Sequence, residues 1–286
     1  MIVTNLEYHL ETKLVKKLDI MAKRCTNTRT RKDAVLIVEG SEGEGKTNTS
    51  EAIAYYLKYK MDRQIHMFFR LQSLMEFAQN TEEEIIIWDE PALDSLSTDW
   101  FKETNKDLIR LLMTCRKKRH FFIFNFVKFY KFSEYVVVDR ALGLIHMYTR
   151  TKTNQSGRFV YVRMKALEGL FRTYRDKKIR AYRKYKSFGG SVPLIEHLIP
   201  QIGMSVEGKE NATLEDYERL KDEAIQSIGR KPIKENKSKK DFDKLRCTIS
   251  KVCLPLMNKE QLAKELGISR RTLHNWGKKE VIPQIP

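Results

Sequence analysis

Eight consecutive residues, Gly40 to Thr47, read G-S-E-G-E-G-K-T and satisfy every position of the pattern G-x-x-x-x-G-K-[ST]. Such a turn lets backbone N–H groups converge on phosphates without side-chain obstruction, and a following helix adds the positive end of its dipole. The flanks supply that setting. Ala34 to Val38 is an apolar run leading in, and Thr47 to Lys58 reads as a helix leading out. The candidate phosphate contacts are Gly40, Gly43, Gly45, Lys46, Thr47 and Asn48. Lys46 is placed to reach the β/γ-phosphates and the Thr47 hydroxyl to ligate Mg²⁺, so the expected cofactors are ATP and Mg²⁺.

A second motif follows. Glu84 to Glu90 is an apolar run ending in two acids, which predicts a buried parallel strand that carries Asp89 to the carboxyl edge of the sheet. There Asp89 would hold Mg²⁺ through water, and Glu90 would orient and deprotonate an attacking water. The bland alternative is a pair of solvated acids at a strand end. A small-molecule kinase has no need of Glu90, because its nucleophile is the substrate, so the pair favours ATP hydrolysis over phosphotransfer. Asn125, at the end of the run Phe121 to Phe124, is a candidate contact to the γ-phosphate or the attacking water. Its alternative is a satisfied strand-end amide. The aromatic residues around it read as sheet core, and His120 and His146 as strand residues and not ligands.

Alternation of apolar strand patterns with helical ones predicts an α/β fold of the RecA-like P-loop class, with a mostly parallel sheet and helices on both faces. Strands are expected near 34–39, 64–69, 84–88, 120–126 and 142–148, with a possible edge strand at 157–164. Helices are expected at 73–80, 103–118 and 133–140. Leu6, Leu10, Leu14, Leu18 and Met21 recur at helical spacing, which predicts an N-terminal helix over 1–24 packed on the ATPase domain. Residues 1–200 are read as that domain, 201–240 as an acidic helix plus a basic linker, and 241–286 as a small all-α module.

Charge points to the partner. The chain carries 54 Lys and Arg against 37 Asp and Glu, a net charge of +17, and such an excess favours a polyanion, nucleic acid before membrane. Ten basic residues lie between Arg163 and Lys186 against two acids, including Arg175, Lys178 and Arg183. One continuous helix over this stretch would present a basic surface to DNA phosphates; its alternative is a solvated face that serves solubility. No apolar stretch approaches membrane-spanning length, and no signal-like apolar region opens the chain. Cys25, Cys115, Cys247 and Cys253 have neither C-x-x-C spacing nor a nearby His, which favours reduced thiols in a cytoplasmic protein.

Lys259 to Lys278 reads K-E-Q-L-A-K-E-L-G-I-S-R-R-T-L-H-N-W-G-K. Ala263 suits a close helix crossing, Gly267 a tight turn, and Leu262, Leu266, Ile268, Leu273 and Trp276 fall on one face of both helices. The segment resembles the helix-turn-helix of phage repressors, excisionases and resolvases. The resemblance implies that Ser269, Arg270, Arg271, His274 and Asn275 face base edges and phosphates in the major groove. A hairpin for protein contact is the alternative.

The acid pair after an Ile run is followed by Trp100, Asn105-Lys106, an apolar helix ending Arg116-Lys117-Lys118, an aliphatic-aromatic strand, and a short helix ending Asp139-Arg140. Over 32–186 this resembles the ATPase domain of zonular-occludens-toxin-like phage proteins and is similar to the DNA-translocase branch of P-loop ATPases. The resemblance implies a homo-oligomeric ring that uses ATP to move DNA of a phage or mobile element. Arg116, Arg119 and Arg140 are candidates for a finger that completes a neighbouring subunit's site. Two other readings remain open at this point: an ATP-gated, site-specific DNA-binding regulator, and a phosphotransferase with a basic lid.

Overall fold

The structure is a computed structural model, described here for residues 10–89, 98–150, 155–192 and 202–228. The chain divides into two compact units, Met1–Ile228 and Gly229–Pro286, and the described residues belong to the first. Glu90, the linker and the helix-turn-helix residues Ser269, Arg270, Arg271, His274 and Asn275 lie outside the described residues.

Eight strands form one sheet in the order β7-β6-β5-β1-β4-β3-β2-β8. They are β1 Ala34–Glu39, β2 Ile65–Phe68, β3 Ile85–Asp89, β4 Phe121–Phe126, β5 Gly143–Arg150, β6 Gln155–Arg163, β7 Phe188–Ser191 and β8 Ser205–Val206. Pairings among β5, β1, β4, β3, β2 and β8 are parallel, whereas β6 and β7 extend the β5 side antiparallel. The core order 5-1-4-3-2 places β4 between the strand that feeds the phosphate loop and the strand that ends in Asp89. This is the RecA-like P-loop arrangement expected from the alternation. The short strands β7 and β8 escape sequence reading because Phe-Gly-Gly-Ser and Ser-Val are too brief to show a period.

Seven helices flank the sheet among the described residues: α1 Thr12–Thr26, α2 Lys46–Met61, α3 Leu71–Asn80, α4 Thr98–Thr114, α5 Met164–Lys177, α6 Tyr182–Tyr185 and α7 Leu214–Ile228. Strand side chains alternate between the faces, and the alternation sorts the core into two layers. Leu36 and Val38 of β1, Ile85 and Ile87 of β3, and Ile123 of β4 pack with α1, α2 and Tyr217 of α7. Val35, Ile37, Ile86, Trp88, Phe122 and Phe124 pack with α3, α4 and α5. The aromatic run of β4 is core, with Phe124 and Phe126 edge-on to Trp88 at 5.9 and 5.8 Å. Leu14, Leu18 and Met21 bury the inner face of α1 as their spacing requires.

Three expected elements differ. The N-terminal helix, expected over 1–24, begins only at Thr12 among the described residues, with Leu10 and Glu11 outside it. The stretch 133–140 is a π-helical turn over Tyr135–Arg140. The basic stretch is not one helix: α5 ends at Lys177, and Lys178 takes a left-handed cap with φ of 56° before the separate turn of α6. The break has a packing cause. Tyr182 is drawn into the core, where its hydroxyl donates to Glu39 at 2.8 Å and its ring stacks on His146 at 3.6 Å. A straight continuation of α5 would carry Tyr182 away from that partner. No helix among the described residues is long and apolar enough to cross a membrane.

Candidate nucleotide site

The loop between β1 and α2 bends through Gly43 and Gly45, with φ of 76° and 87°. Both values lie in the left-handed region that glycine enters without steric cost. Gly45 is also the cap of α2, so the first N–H groups of that helix open toward the loop. Gly40 tolerates no side chain, since an added Cβ would meet Glu44 Oε2 at 2.7 Å and the Met147 carbonyl oxygen at 2.9 Å. The Glu44 carboxylate turns back into the loop and accepts the Ser41 N–H at 2.5 Å, while Lys46 Nζ donates to the Ser41 carbonyl at 2.8 Å. Burial lowers the affinity of Lys46 for its proton, against the pull of Asp89, Glu44, Glu39 and Glu42. The loop therefore satisfies an N–H and an ammonium with its own atoms.

Side-chain parity brings the remaining groups together. Asp89 lies two residues beyond Ile87 and Asn125 two beyond Ile123, so both face α2. In register they are direct partners, Asp89 with Asn125 and Asn125 with Val38. Asn125 Nδ2 donates to Asp89 Oδ1 at 2.8 Å, and Ser50 of α2 donates to Asn125 Oδ1. Thr47 Oγ1 lies 3.2 Å from both Asp89 oxygens. One helix turn thus brings the Thr47 hydroxyl to the carboxylate, and the next holds the amide that orients it.

Glu39 has the opposite parity to Val38. It faces away from α2 and is buried between Tyr182 and His146, whose Nδ1 lies 2.5 Å from Glu39 Oε2. His146 lies on β5 as expected and is a partner of that core carboxylate. Two of the three candidate finger arginines, Arg119 and Arg140, are engaged within the chain, whereas Arg116 is exposed. Arg140 pairs with buried Asp33, and Arg119 with Glu83.

Two site residues escaped the sequence reading. Tyr217 and Lys221 of α7 both reach Asp89 Oδ2, the hydroxyl and the ammonium each at 3.2 Å, and Lys221 Nζ also donates to Tyr217 Oη at 2.8 Å. Burial opposes charge on Asp89, yet Lys221 beside it, with the Asn125 and Tyr217 hydrogen bonds, outweighs burial and holds the carboxyl below the usual carboxylate range. The only trace in the sequence is an i,i+4 spacing on one face of an acidic helix. That spacing does not reveal that the face covers Asp89.

Hard oxygen donors from Thr47 and Asp89 and a glycine-lined turn at a helix N-terminus fit Mg²⁺ and a nucleoside triphosphate, and an ammonium already resting on Asp89 marks a cation position. Among the basic residues, Arg175 is exposed and pairs with Glu134 and Asp176, Lys178 lies over the Tyr174 ring at 5.8 Å, and Arg183 is exposed on α6.

No family model matches the chain. No curated relative matches it either. Among solved structures, a single-residue variant of RuvB from Thermotoga maritima aligns over 93% of this chain and 85% of its own, at 13% identity and a TM-score of 0.30. So low a TM-score carries no weight for function, and the P-loop assignment stands on strand order and loop geometry.

Proposed function

We propose that the chain is a Mg²⁺-dependent ATPase that acts on DNA. The observation that carries the nucleotide half is the placement of Thr47 and Asp89 3.2 Å apart, at the carboxyl edge of a 5-1-4-3-2 sheet and behind a complete phosphate loop. Gly40 to Asn48 would bind the phosphates, with Lys46 leaving the Ser41 carbonyl for the β/γ-oxygens. Thr47 and Asp89 would hold Mg²⁺, which when bound neutralises charge on the phosphate oxygens. Asn125 acts through Asp89 by fixing its orientation. Glu90, the next residue in sequence, is the general base for water. The DNA half rests on the net charge of +17, the exposed cations Arg175 of α5, Lys178 at its cap and Arg183 of α6, and the helix-turn-helix pattern with Arg270 and Arg271.

The setting we propose is a phage or mobile element, with a homo-oligomer that moves, packages or remodels DNA, following the resemblance to zonular-occludens-toxin-like ATPases. ATP turnover by wild-type, Lys46→Ala and Glu90→Gln proteins tests the chemistry. Loss of turnover in both variants, with ATP binding kept in Glu90→Gln, supports hydrolysis at this site. Full turnover in Glu90→Gln contradicts it and favours a phosphotransferase. ATP-dependent binding to one DNA site with slow, unstimulated turnover would instead favour a gated regulator.

A further inference from the structure

α7 packs beside β8, the edge strand next to β2, and its seating is firm at the N-terminal end. Thr213 and Asp216 cap each other's backbone side: Asp216 N–H donates to Thr213 Oγ1 at 3.2 Å, and Thr213 N–H donates to Asp216 Oδ2 at 3.2 Å. The preceding turn is pinned by Glu207, whose carboxylate accepts the N–H groups of Phe69 and Arg70 at 2.8 and 2.9 Å. Lys58 of α2 donates to the Ile202 carbonyl at 2.8 Å. From this fixed base, one face of α7 runs toward Asp89, carrying Tyr217, then Lys221, with Ala224 buried beyond them.

Asp89 is a buried carboxylate with four polar partners among the described residues: Thr47, Asn125, Tyr217 and Lys221. Of these four, Lys221 alone brings a positive charge, and a buried carboxylate without a countercharge is costly. Lys221 Nζ and the Thr47 hydroxyl lie on the same carboxylate, where Thr47 and Asp89 together would hold a metal. A divalent cation coordinated by that pair and an ammonium at 3.2 Å from Asp89 Oδ2 compete for the same oxygen.

We infer that Lys221, oriented by Tyr217, is a resident counterion of Asp89 and that Mg²⁺·nucleotide must displace it. Lys221 and Tyr217 thereby set the metal requirement of the site, and the second half of α7 is the segment that registers its occupation. Tyr217 keeps its packing against Phe69, with ring centroids 5.4 Å apart, so the change is local to Lys221 and the turns after it. The inference rests on the nucleotide-site reading above and adds a residue pair that the loop motifs do not contain.

The test is equilibrium binding of a fluorescent ADP analogue to the full chain, titrated with Mg²⁺ and compared with EDTA, for wild-type, Lys221→Met and Lys221→Arg proteins. Lys221→Met keeps the apolar stem but removes the competing charge. The Mg²⁺ concentration for half-maximal binding is expected to fall about tenfold, the scale of roughly 1.4 kcal/mol from one partly exposed competing charge. Lys221→Arg, which keeps the charge, is expected to stay within about twofold of wild type. Amide hydrogen exchange over 218–228 supplies a readout independent of affinity: protection in EDTA with ADP, and faster exchange with Mg²⁺ and ADP. Unchanged Mg²⁺ dependence in Lys221→Met, a weaker one, or exchange over 218–228 indifferent to Mg²⁺·ADP would each overturn the counterion role. Failure of the wild-type protein to bind ADP under any condition would overturn the nucleotide site itself, and this inference with it.

Discussion

Asn125 Nδ2 donates to Asp89 Oδ1 at 2.8 Å, and the two residues are register partners on adjacent strands. The contact exists because β4 runs between β1 and β3, so that the polar end of one apolar strand abuts the acidic end of the other. Asn125 is 1% exposed and also accepts from Ser50, so its role is to orient the carboxylate. Asn125→Ala removes that support and leaves both neighbours short of a partner. We expect turnover to fall by about 10- to 100-fold, the usual cost of losing a group that orients a metal ligand, with the Mg²⁺ dependence shifted upward. Steady-state kinetics against Mg²⁺ check this; an unchanged Mg²⁺ profile would remove Asn125 from the site.

Glu44 places a carboxylate in the loop proposed to bind phosphate, with its oxygen on the Ser41 N–H. Glu44→Gln keeps an acceptor for that N–H and deletes the like charge. ATP is expected to bind about fivefold tighter at low salt, with the gain shrinking as salt rises, on the scale of about 1 kcal/mol for one charge at this range in water. Calorimetric titration at two ionic strengths measures it, and equal or weaker binding would show that Glu44 does not oppose the phosphates.

His120 provides a pH test of the fold. The ring is buried, with Nδ1 accepting from the Glu84 N–H at 3.1 Å and Nε2 3.0 Å from the Ala78 carbonyl, which fits the neutral Nε2–H tautomer. Burial lowers its pKa from the ordinary 6.5. Below that value the unfolded chain takes up a proton that the folded chain refuses. The contribution is thus complete above 6.5 and is lost as pH falls toward the depressed folded value. The thermal midpoint should drop between about pH 7 and about pH 5, more steeply in wild type than in His120→Gln. Parallel slopes in the two proteins would contradict the assignment.

The five central strands and the phosphate loop were legible in the sequence because parallel strands buried on both faces read as unbroken apolar runs, and because the loop pattern tolerates little variation. Placement of Asp89 and Asn125 toward α2 follows from strand parity once the order is known, yet no local signal gives the order. Contacts made by α7 were beyond reach, since Tyr217 and Lys221 lie 128 and 132 residues from Asp89 and carry no pattern that points to it. The basic stretch misled for a related reason. Helical spacing of Arg and Lys continues through Lys178, but burial of Tyr182 against Glu39 overrides it.

The proposed coupling of ATP hydrolysis to DNA is read out by turnover against a rising concentration of long, sequence-neutral duplex. Wild type should be stimulated strongly at low salt, less at moderate salt as phosphate contacts are screened, and Glu90→Gln not at all. Arg270→Ala with Arg271→Ala should keep basal turnover while weakening duplex binding. Flat turnover across the whole duplex range, with Mg²⁺ and ATP saturating, would contradict a DNA-driven ATPase.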